Sequence, residues 1–561
     1  MNRPVPKDRI KSLECKHAIY SKANDFSGDD ILFIKENIHT TDGQIIPNTL
    51  IVENYQRDFY VTKEGYRTYK DKIEWEDIDK LQKFSTNQAR LIKQIPRALG
   101  NPALKGSLKM LGRSPYLFGT DITTPTLVKH KYKKKYPDTF SINTVAVIDI
   151  ETDVVNGTEL PIIVGVSYKD KAFISFTKDY VGNIPNFEEK ILKKAKELLP
   201  EEFEKRNIKL ETVIVDTAAK ACVVAIQKVH EWRPDFLTVW NMNFDIPKIT
   251  KTIEDGGYDP ADVYSDPSVP KKYRNFKYKA GQAQKVTASG DITPIPFDER
   301  WHVAEAPASF VIIDSMCLYR RIRIAKSREA SYSLDAQLNK HLGKRKLRFE
   351  EAEGLEKLEW HIFMQNNFKV EYGVYNLFDC IGVELLDEKL MDLQQSISVL
   401  CGDSEYSIFN SQPKRIVDQL YFFCLENLNK VVGACSDKMS VELDKYVLGM
   451  KNWIITLPTH LTVDNGLKVI KELPDVISLI RAHVADLDVS SAYPTTQKIL
   501  NMSKETTYRE VCKLKGIDDA TQRNISVDLT ASHVNAVYIV TKVFNAPTLD
   551  KLLEDFEKEV S

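Results

Sequence analysis

No hydrophobic run in this chain approaches the roughly 18 to 20 residues that a membrane-crossing helix needs, and the N-terminus is charged from Arg3 onward. A secretory leader and a membrane anchor are both disfavoured. The eight cysteines (Cys15, Cys222, Cys317, Cys380, Cys401, Cys424, Cys435 and Cys512) form no C-x-x-C pair. Neither a zinc knuckle nor a disulfide framework is indicated, and a reducing cytoplasm is the expected compartment. Gly106 and Gly112 flank five residues rather than four and are followed by Arg113, so there is no P-loop, and no H-E-x-x-H spacing occurs. Net charge is lacking too: 78 Lys and Arg stand against 79 Asp and Glu. Attraction to a polyanion must come from local patches.

What is present is an ordinary globular composition, 43% hydrophobic and 28% charged over 561 residues. At about 150 residues per domain this gives three or four domains, and the expected class is α/β multidomain. Residues 1–138 read as an α+β domain, with β-like runs at 31–34, 49–53 and 58–62 and a Lys/Arg-rich helical stretch from Trp75 to Leu99. A Thr/Pro linker leads into Lys129-His-Lys-Tyr-Lys-Lys-Lys-Tyr136, which holds five lysines and no acid. This reads either as a solvated linker or as a strip that tracks phosphates, its tyrosines stacking on bases.

From Val145 the pattern changes to strands, at 145–151, 162–168 and 172–176. Asn186 is placed to cap a helix carrying Phe187, Ile191, Ala195 and Leu199; a second helix runs from Thr217 to Trp232, and a buried strand from Phe236 to Trp240 follows. A mixed sheet with flanking helices is expected over residues 139–395. Residues 271–279 are basic and aromatic and lead into an exposed hairpin or loop; Tyr372 to Leu393 reads as a helix. Residues 396–475 form a connecting region that is expected to pack on the N-terminal domain. The segment from Thr548 to Val560 places Leu549, Leu552, Leu553, Phe556 and Val560 on one helical face.

Four acidic positions stand out by their settings. In Val145-Ala-Val-Ile-Asp-Ile-Glu151 the strand period puts Asp149 and Glu151 on one side, roughly 7 Å apart along the backbone. They repel unless a cation lies between them, although a solvated strand end explains the pair equally well. In Val239-Trp-Asn-Met-Asn-Phe-Asp-Ile-Pro247 a strand runs into a polar corner, Pro247 fits a first helical turn, and Asp245 lies at the junction, where capping is the simpler role. In Tyr375-Asn-Leu-Phe-Asp379, Tyr375 and Asp379 are one helical turn apart.

Taken in order, D-x-E, N-x-x-F-D and Y-x-x-x-D resemble the three motifs of the 3′→5′ exonuclease domain of family B DNA polymerases. Ser331-Tyr-Ser-Leu-Asp335 before Leu342-Gly-Lys344 resembles a segment of the replicative polymerases of T-even-type bacteriophages, as does Pro115 to Asp121. The resemblance implies a ribonuclease H-like exonuclease domain. Asp149, Glu151, Asp245 and Asp379 would be its metal ligands, Tyr375 would orient the attacking water, and Asn241 and Phe244 would line the path of a single-stranded 3′ end. For Phe244 a place in the core is the competing reading. Two Mg²⁺ or Mn²⁺ ions about 4 Å apart would supply the phosphodiester chemistry.

Val484-Ala-Asp-Leu-Asp-Val-Ser-Ser-Ala-Tyr-Pro-Thr495 resembles the first palm motif of the same polymerases, with Asp488 as metal ligand, Ser491 by position and Tyr493 as the gate against a ribose 2′-OH. Asp486 shares the strand face of Asp488. Residues 476–561 would thus be a partial palm with a terminal amphipathic helix. After Asp488 neither K-x-x-x-N-S-x-Y-G nor D-T-D occurs.

The function expected is the N-terminal part of a split DNA polymerase carrying proofreading exonuclease activity on primer-template DNA, in the cytoplasm of a phage-infected bacterium. A second chain would supply the fingers, the remaining palm and the thumb, and a sliding clamp is a further implied partner. A standalone exonuclease with a vestigial palm and a non-catalytic DNA-binding subunit are the alternatives. Backbone contact with DNA is expected at Lys129, Lys131, Lys133, Lys134, Lys135, Lys271, Lys272 and Arg274. The hairpin around 280–295 would, by resemblance, help separate a primer end from its template.

Overall fold

The structure, a computed structural model, describes residues 3–70, 72–73, 75–286 and 291–433. The described residues divide into two compact units: those within 3–61, 77–112 and 117–432 form the first, and those within 62–76 and 113–116, with Gly433, belong to the second. In the described part of the second, the ring of Tyr116 lies against that of Tyr69, and Arg67 sits over it.

The first unit opens with an antiparallel sheet of β1 (Ile10–Lys22), β2 (Asp30–Thr40) and β3 (Ile45–Glu53). Beside it β4 (Arg57–Thr62) is flanked by β5 (Leu81–Thr86) and β6 (Leu117–Phe118). The stretch from Trp75 to Leu99, expected to be helical, is α-helical only at its end, in α1 (Leu91–Ala98), with single 3-10 turns at Ile78–Lys80 and Gln88–Arg90 before it. Its apolar residues answer a neighbouring strand rather than a helix face, since Phe84 stacks on Phe59 of β4 at 5.5 Å. The expected Thr/Pro linker is also a helix, α2 (Thr124–Lys135), capped by the Thr123 hydroxyl on the Thr126 N–H. Its Val128 and Tyr132 pack on Ala18, Leu32 and Ile34.

An eight-stranded mixed sheet follows. Its strands are β7 (Val145–Thr152), β8 (Pro161–Tyr168), β9 (Lys171–Thr177), β10 (Lys209–Val215), β11 (Phe236–Val239), β12 (Lys277–Lys279), and, after a hairpin of β13 (Gln284–Val286) and β14 (Ile292–Pro294), β15 (Val303–Glu305) and β16 (Val311–Asp314). The order is β10-β9-β8-β7-β11-β16-β15-β12. The meander β7-β8-β9 is antiparallel, whereas β11 lies parallel between β7 and β16.

Helices cover both faces, so β7 is buried on each side. Ala146, Ile148 and Ile150 pack toward α4 (Ala218–Trp232) and α5 (Met242–Asp255), and Val147 packs toward α3 (Phe187–Leu198) and a later helix pair, α7 (Leu334–Leu342) and α9 (Lys369–Leu390). Between these run α6 (Ser315–Ile322) and α8 (Lys357–Asn367), and α10 (Gln412–Asn427) follows.

Two local expectations are corrected. Asn186 precedes α3 in the left-handed region (φ 52°), with no side-chain cap. Helix α5 begins at Met242 rather than near Pro247, because the Asp314 carboxylate takes the Met242 N–H at 2.9 Å and starts the helix from outside. The N-terminal sheet is tied to the large one by Lys35, buried in β2, which pairs with Asp235 at 2.9 Å and donates to the Arg233 and Pro234 carbonyls. Asp235 in turn accepts the Thr144 N–H, which fixes the start of β7. Among the described residues no helix is long and apolar enough to cross a membrane.

Candidate active site

The period of β7 decides where its acids point. With Ile148 and Ile150 drawn into the α4/α5 core, Asp149 and Glu151 face α9. On α9, Tyr372, Tyr375, Asn376 and Asp379 recur at helical spacing and meet them. Ligand oxygens of Asp149, Glu151 and Asp379 all lie within 4.8 Å of one another. Asn376 Nδ2 donates to Asp149 Oδ2 at 2.7 Å. That approach depends on Gly165, the cross-strand partner of Asp149, because a Cβ there would sit 2.2 Å from Asn376 Oδ1.

Asp245 is buried in the first turn of α5. It lies outside the tight trio yet within its field, and is among the charges acting on Asp149. The Asp314 carboxylate sets the corner, accepting N–H groups that start both α5 and α6. Trp240 Nε1 donates to the Tyr332 carbonyl, so the S-Y-S-L-D segment holds this corner from the other side.

Lys346, which sequence reasoning missed, supplies the one cation among these side chains. Its Nζ donates to Asp379 Oδ2 at 2.5 Å and to the Tyr375 hydroxyl at 3.1 Å. Asp335 positions it by accepting the Lys346 backbone N–H and pairing with Arg345. In sequence, Lys346 sits in a basic run that looks like any solvated one.

The electrostatics are those of a site one cation or more short of balance. Burial raises Asp149 well above the usual carboxyl range, and Asp245, Asp379 and Glu151 add to it. Burial pushes Glu151 up to about 7 against the stabilising Tyr372 hydrogen bond. Asp245 is raised well above its ordinary value by burial and then by Asp314 and Glu151. Asp379 is raised by burial, against Lys346. Burial pushes Lys346 down, but Asp379, Tyr375 and Asp149 outweigh it and hold the ammonium well above its ordinary value. Asp379 Oδ1 is buried without a hydrogen-bond partner. Clustered carboxylate oxygens with an unfilled acceptor match the hard donor set that Mg²⁺ or Mn²⁺ takes.

Phe244 is 45% exposed, with Lys248 Nζ 5.5 Å from its ring centre, so it is not a core residue. Asn241 is exposed at the same corner. The basic residues divide. Lys129 is turned inward, donating to the Ser404 carbonyl and lying over the Tyr406 ring, which removes it from any surface strip. Lys131, Lys133, Lys134 and Lys135 are exposed on α2. Lys271 and Arg274 face Asp262, and Lys272 faces Asp29. Asp486, Asp488, Ser491 and Tyr493 lie outside the described residues, as do positions 287–290 of the hairpin and the 548–560 stripe. A second buried group, His302, Asp314 and Cys317, also comes within 4.8 Å, with Asp314 already spent on capping α6 and starting α5. The chain matches no protein-family model and no curated protein.

Proposed function

We propose that this chain is a metal-dependent 3′→5′ DNA exonuclease of the ribonuclease H-like kind, built as in family B DNA polymerases. The observation that carries the reading is the convergence of Asp149, Glu151 and Asp379, from a strand and a helix far apart in sequence, with an unpartnered buried oxygen on Asp379. Asp149, Glu151, Asp245 and Asp379 would hold divalent cations, which when bound activate a water and stabilise the leaving alkoxide beside an anionic phosphate.

The chain's own groups have separate tasks. Tyr375 presents its hydroxyl beside Asp379 and orients the attacking water; Lys346 neutralises part of the carboxylate field so that a phosphate can approach. Exposed Phe244 offers an aromatic face to any terminal base, and Asn241 offers a polar contact beside it. The exposed lysines of α2 and the 271–274 cluster are the proposed contacts with the DNA backbone. A partner chain bearing the remaining polymerase parts is proposed from the sequence resemblance alone.

A 5′-labelled primer-template incubated with the full chain and Mg²⁺, with and without nucleotides, tests the reading. Shortening from the 3′ end that chelator abolishes is the expected result. An intact primer under every divalent ion, or shortening that persists in Asp149→Ala, overturns it.

A further inference from the structure

Glu151 has a second set of neighbours besides Asp149 and Asp379. The Tyr372 hydroxyl donates to Glu151 Oε2. A tyrosine has one proton, so with that proton committed to Glu151 its oxygen can only accept from its other partners. These are His361 Nδ1 at 2.7 Å and Gln365 Nε2 at 3.4 Å. With Glu151 ionised and accepting that proton, His361 donates from Nδ1. His361 and Gln365 are one turn apart on α8, and Gln365 also donates to the Thr152 carbonyl and accepts the Val154 N–H. One face of α8 thus grips the end of β7 and the residues just after it at three points: the Glu151 side chain through Tyr372, then the backbone at Thr152 and Val154. Trp360, on the same helix, packs its ring 4.9 Å from Tyr375 and 6.0 Å from Tyr372, closing the apolar side of the grip.

We propose that Tyr372, itself aligned by His361 of α8, is a positioning residue for Glu151, fixing one carboxylate oxygen so that the other is presented to the metal. The inference rests on the nuclease reading for its purpose and on the His361–Tyr372–Glu151 chain for its substance. Supporting partners of metal-bound carboxylates commonly change metal affinity or activity by about 10- to 100-fold when removed.

The test uses the full chain, with Mn²⁺ affinity measured by calorimetry and single-stranded DNA hydrolysis measured separately. Tyr372→Phe keeps the ring and removes only the hydroxyl. It should weaken Mn²⁺ binding by about 10-fold or more and lower kcat while leaving KM for DNA unchanged. His361→Ala should give a smaller loss in the same two readouts, and His361→Gln, whose amide N–H can still donate to Tyr372, should recover most of it. In a Glu151→Gln background Tyr372→Phe should add nothing further. The proposal is overturned if Tyr372→Phe binds Mn²⁺ and cleaves as the unmutated chain does, or if it costs as much in the Glu151→Gln background, which would make it a packing effect. An unmutated chain that binds Mn²⁺ but leaves DNA intact sinks the nuclease reading alone, because the calorimetric arm still judges Tyr372.

Discussion

The carboxylates at the end of β7 and the cations of α2 are both clusters of one sign, and the fold treats them in opposite ways. On α2, His130 is held between Asp403 and Glu426, each 2.8 Å away, with its ring stacked on Phe422. Lys134 meets Glu426 at 2.8 Å, and Lys133 approaches Asp403 at 3.7 Å. His130, Lys133 and Lys134 are thus answered by acids from within the first unit. Around the half-buried Asp149 the buried carboxyls of Glu151, Asp245 and Asp379 face a single ammonium, Lys346, and two acceptors, Asp379 Oδ1 and Asn376 Oδ1, are left empty. Uncompensated buried charge costs stability and persists where something outside the chain completes it. The contrast sets α2, a structural clasp, apart from the β7–α9 junction, the proposed site.

The largest expected effect breaks the site itself. Asp149→Ala or Asp379→Ala should abolish primer shortening in a chelator-controlled gel assay, and Lys346→Met should lower the rate while leaving divalent-ion binding measurable by calorimetry. The metal-free Asp149→Ala protein should at the same time be no less stable than the parent, because the carboxylate removed relieves repulsion, whereas Asp379→Ala also leaves Lys346 without its partner. A carboxylate variant that unfolds would instead place these side chains among the supports of the fold.

The second effect is a pH dependence. Burial raises Glu151 from 4.5 to about 7 in the folded chain. A raised carboxyl stabilises the fold while it is protonated, so this contribution is complete below about pH 4.5 and is lost as pH rises through about 7. Metal-free protein should lose on the order of 2 kcal/mol from this group between pH 5 and 8. Glu405 and Asp387 are also raised to about 7 by burial, so the diagnostic is the difference between parent and Glu151→Gln in denaturant melts across that range. Adding Mg²⁺ should restore stability at pH 8 and release protons, visible as buffer-dependent heats.

Much of the site was legible because its signal is local. Strand alternation places Asp149 beside Glu151, and helical spacing places Tyr375 above Asp379; neither needs tertiary knowledge. The meander and the helix from Thr217 were legible for the same reason. What stayed hidden is set by pairs distant in sequence: Lys346 against Asp379, Asn376 reaching Asp149 over Gly165, and Asp314 starting α5. In the N-terminal sheet β2 and β3 were legible as the runs 31–34 and 49–53, whereas β1 was obscured because it buries Lys16 and His17, polar residues that break the expected alternation and are satisfied by the carbonyls of Ser141 and Ala308. Helix α2 read as a linker because its lysines signal solvent, whereas Thr123 and the acids across from it make them part of a helix.

A third, smaller effect sharpens the clasp. Burial lowers the His130 imidazolium, but Asp403 and Glu426 outweigh it and raise it above its ordinary value of 6.5. Its contribution is full below pH 6.5 and is lost as pH climbs through the raised value. His130→Ala should therefore cost about 1 to 2 kcal/mol at pH 6 and less at pH 8.5, read by the same melts. A cost that does not change with pH would reduce His130 to its stacking on Phe422.

The smallest effect asks whether the exposed lysines of α2 are free to serve a polyanion. Lys133 and Lys134 already have acids nearby, whereas Lys131 donates to the Tyr55 hydroxyl and Lys135 lies over the Tyr136 ring, neither of which cancels a charge. Each phosphate neutralised releases counterions and steepens the fall of log K with log salt by about 0.9 for a duplex. Lys131→Ala or Lys135→Ala should thus lower the slope for primer-template binding by up to about 0.9, and Lys134→Ala by less, since its removal also frees Glu426. All three should shift stability by no more than about 0.5 kcal/mol, as exposed pairs do. Fluorescence anisotropy at a series of salt concentrations reads the slopes. Equal slopes for all three variants and the parent would mean that DNA does not touch this face of α2, leaving its charge wholly to the clasp.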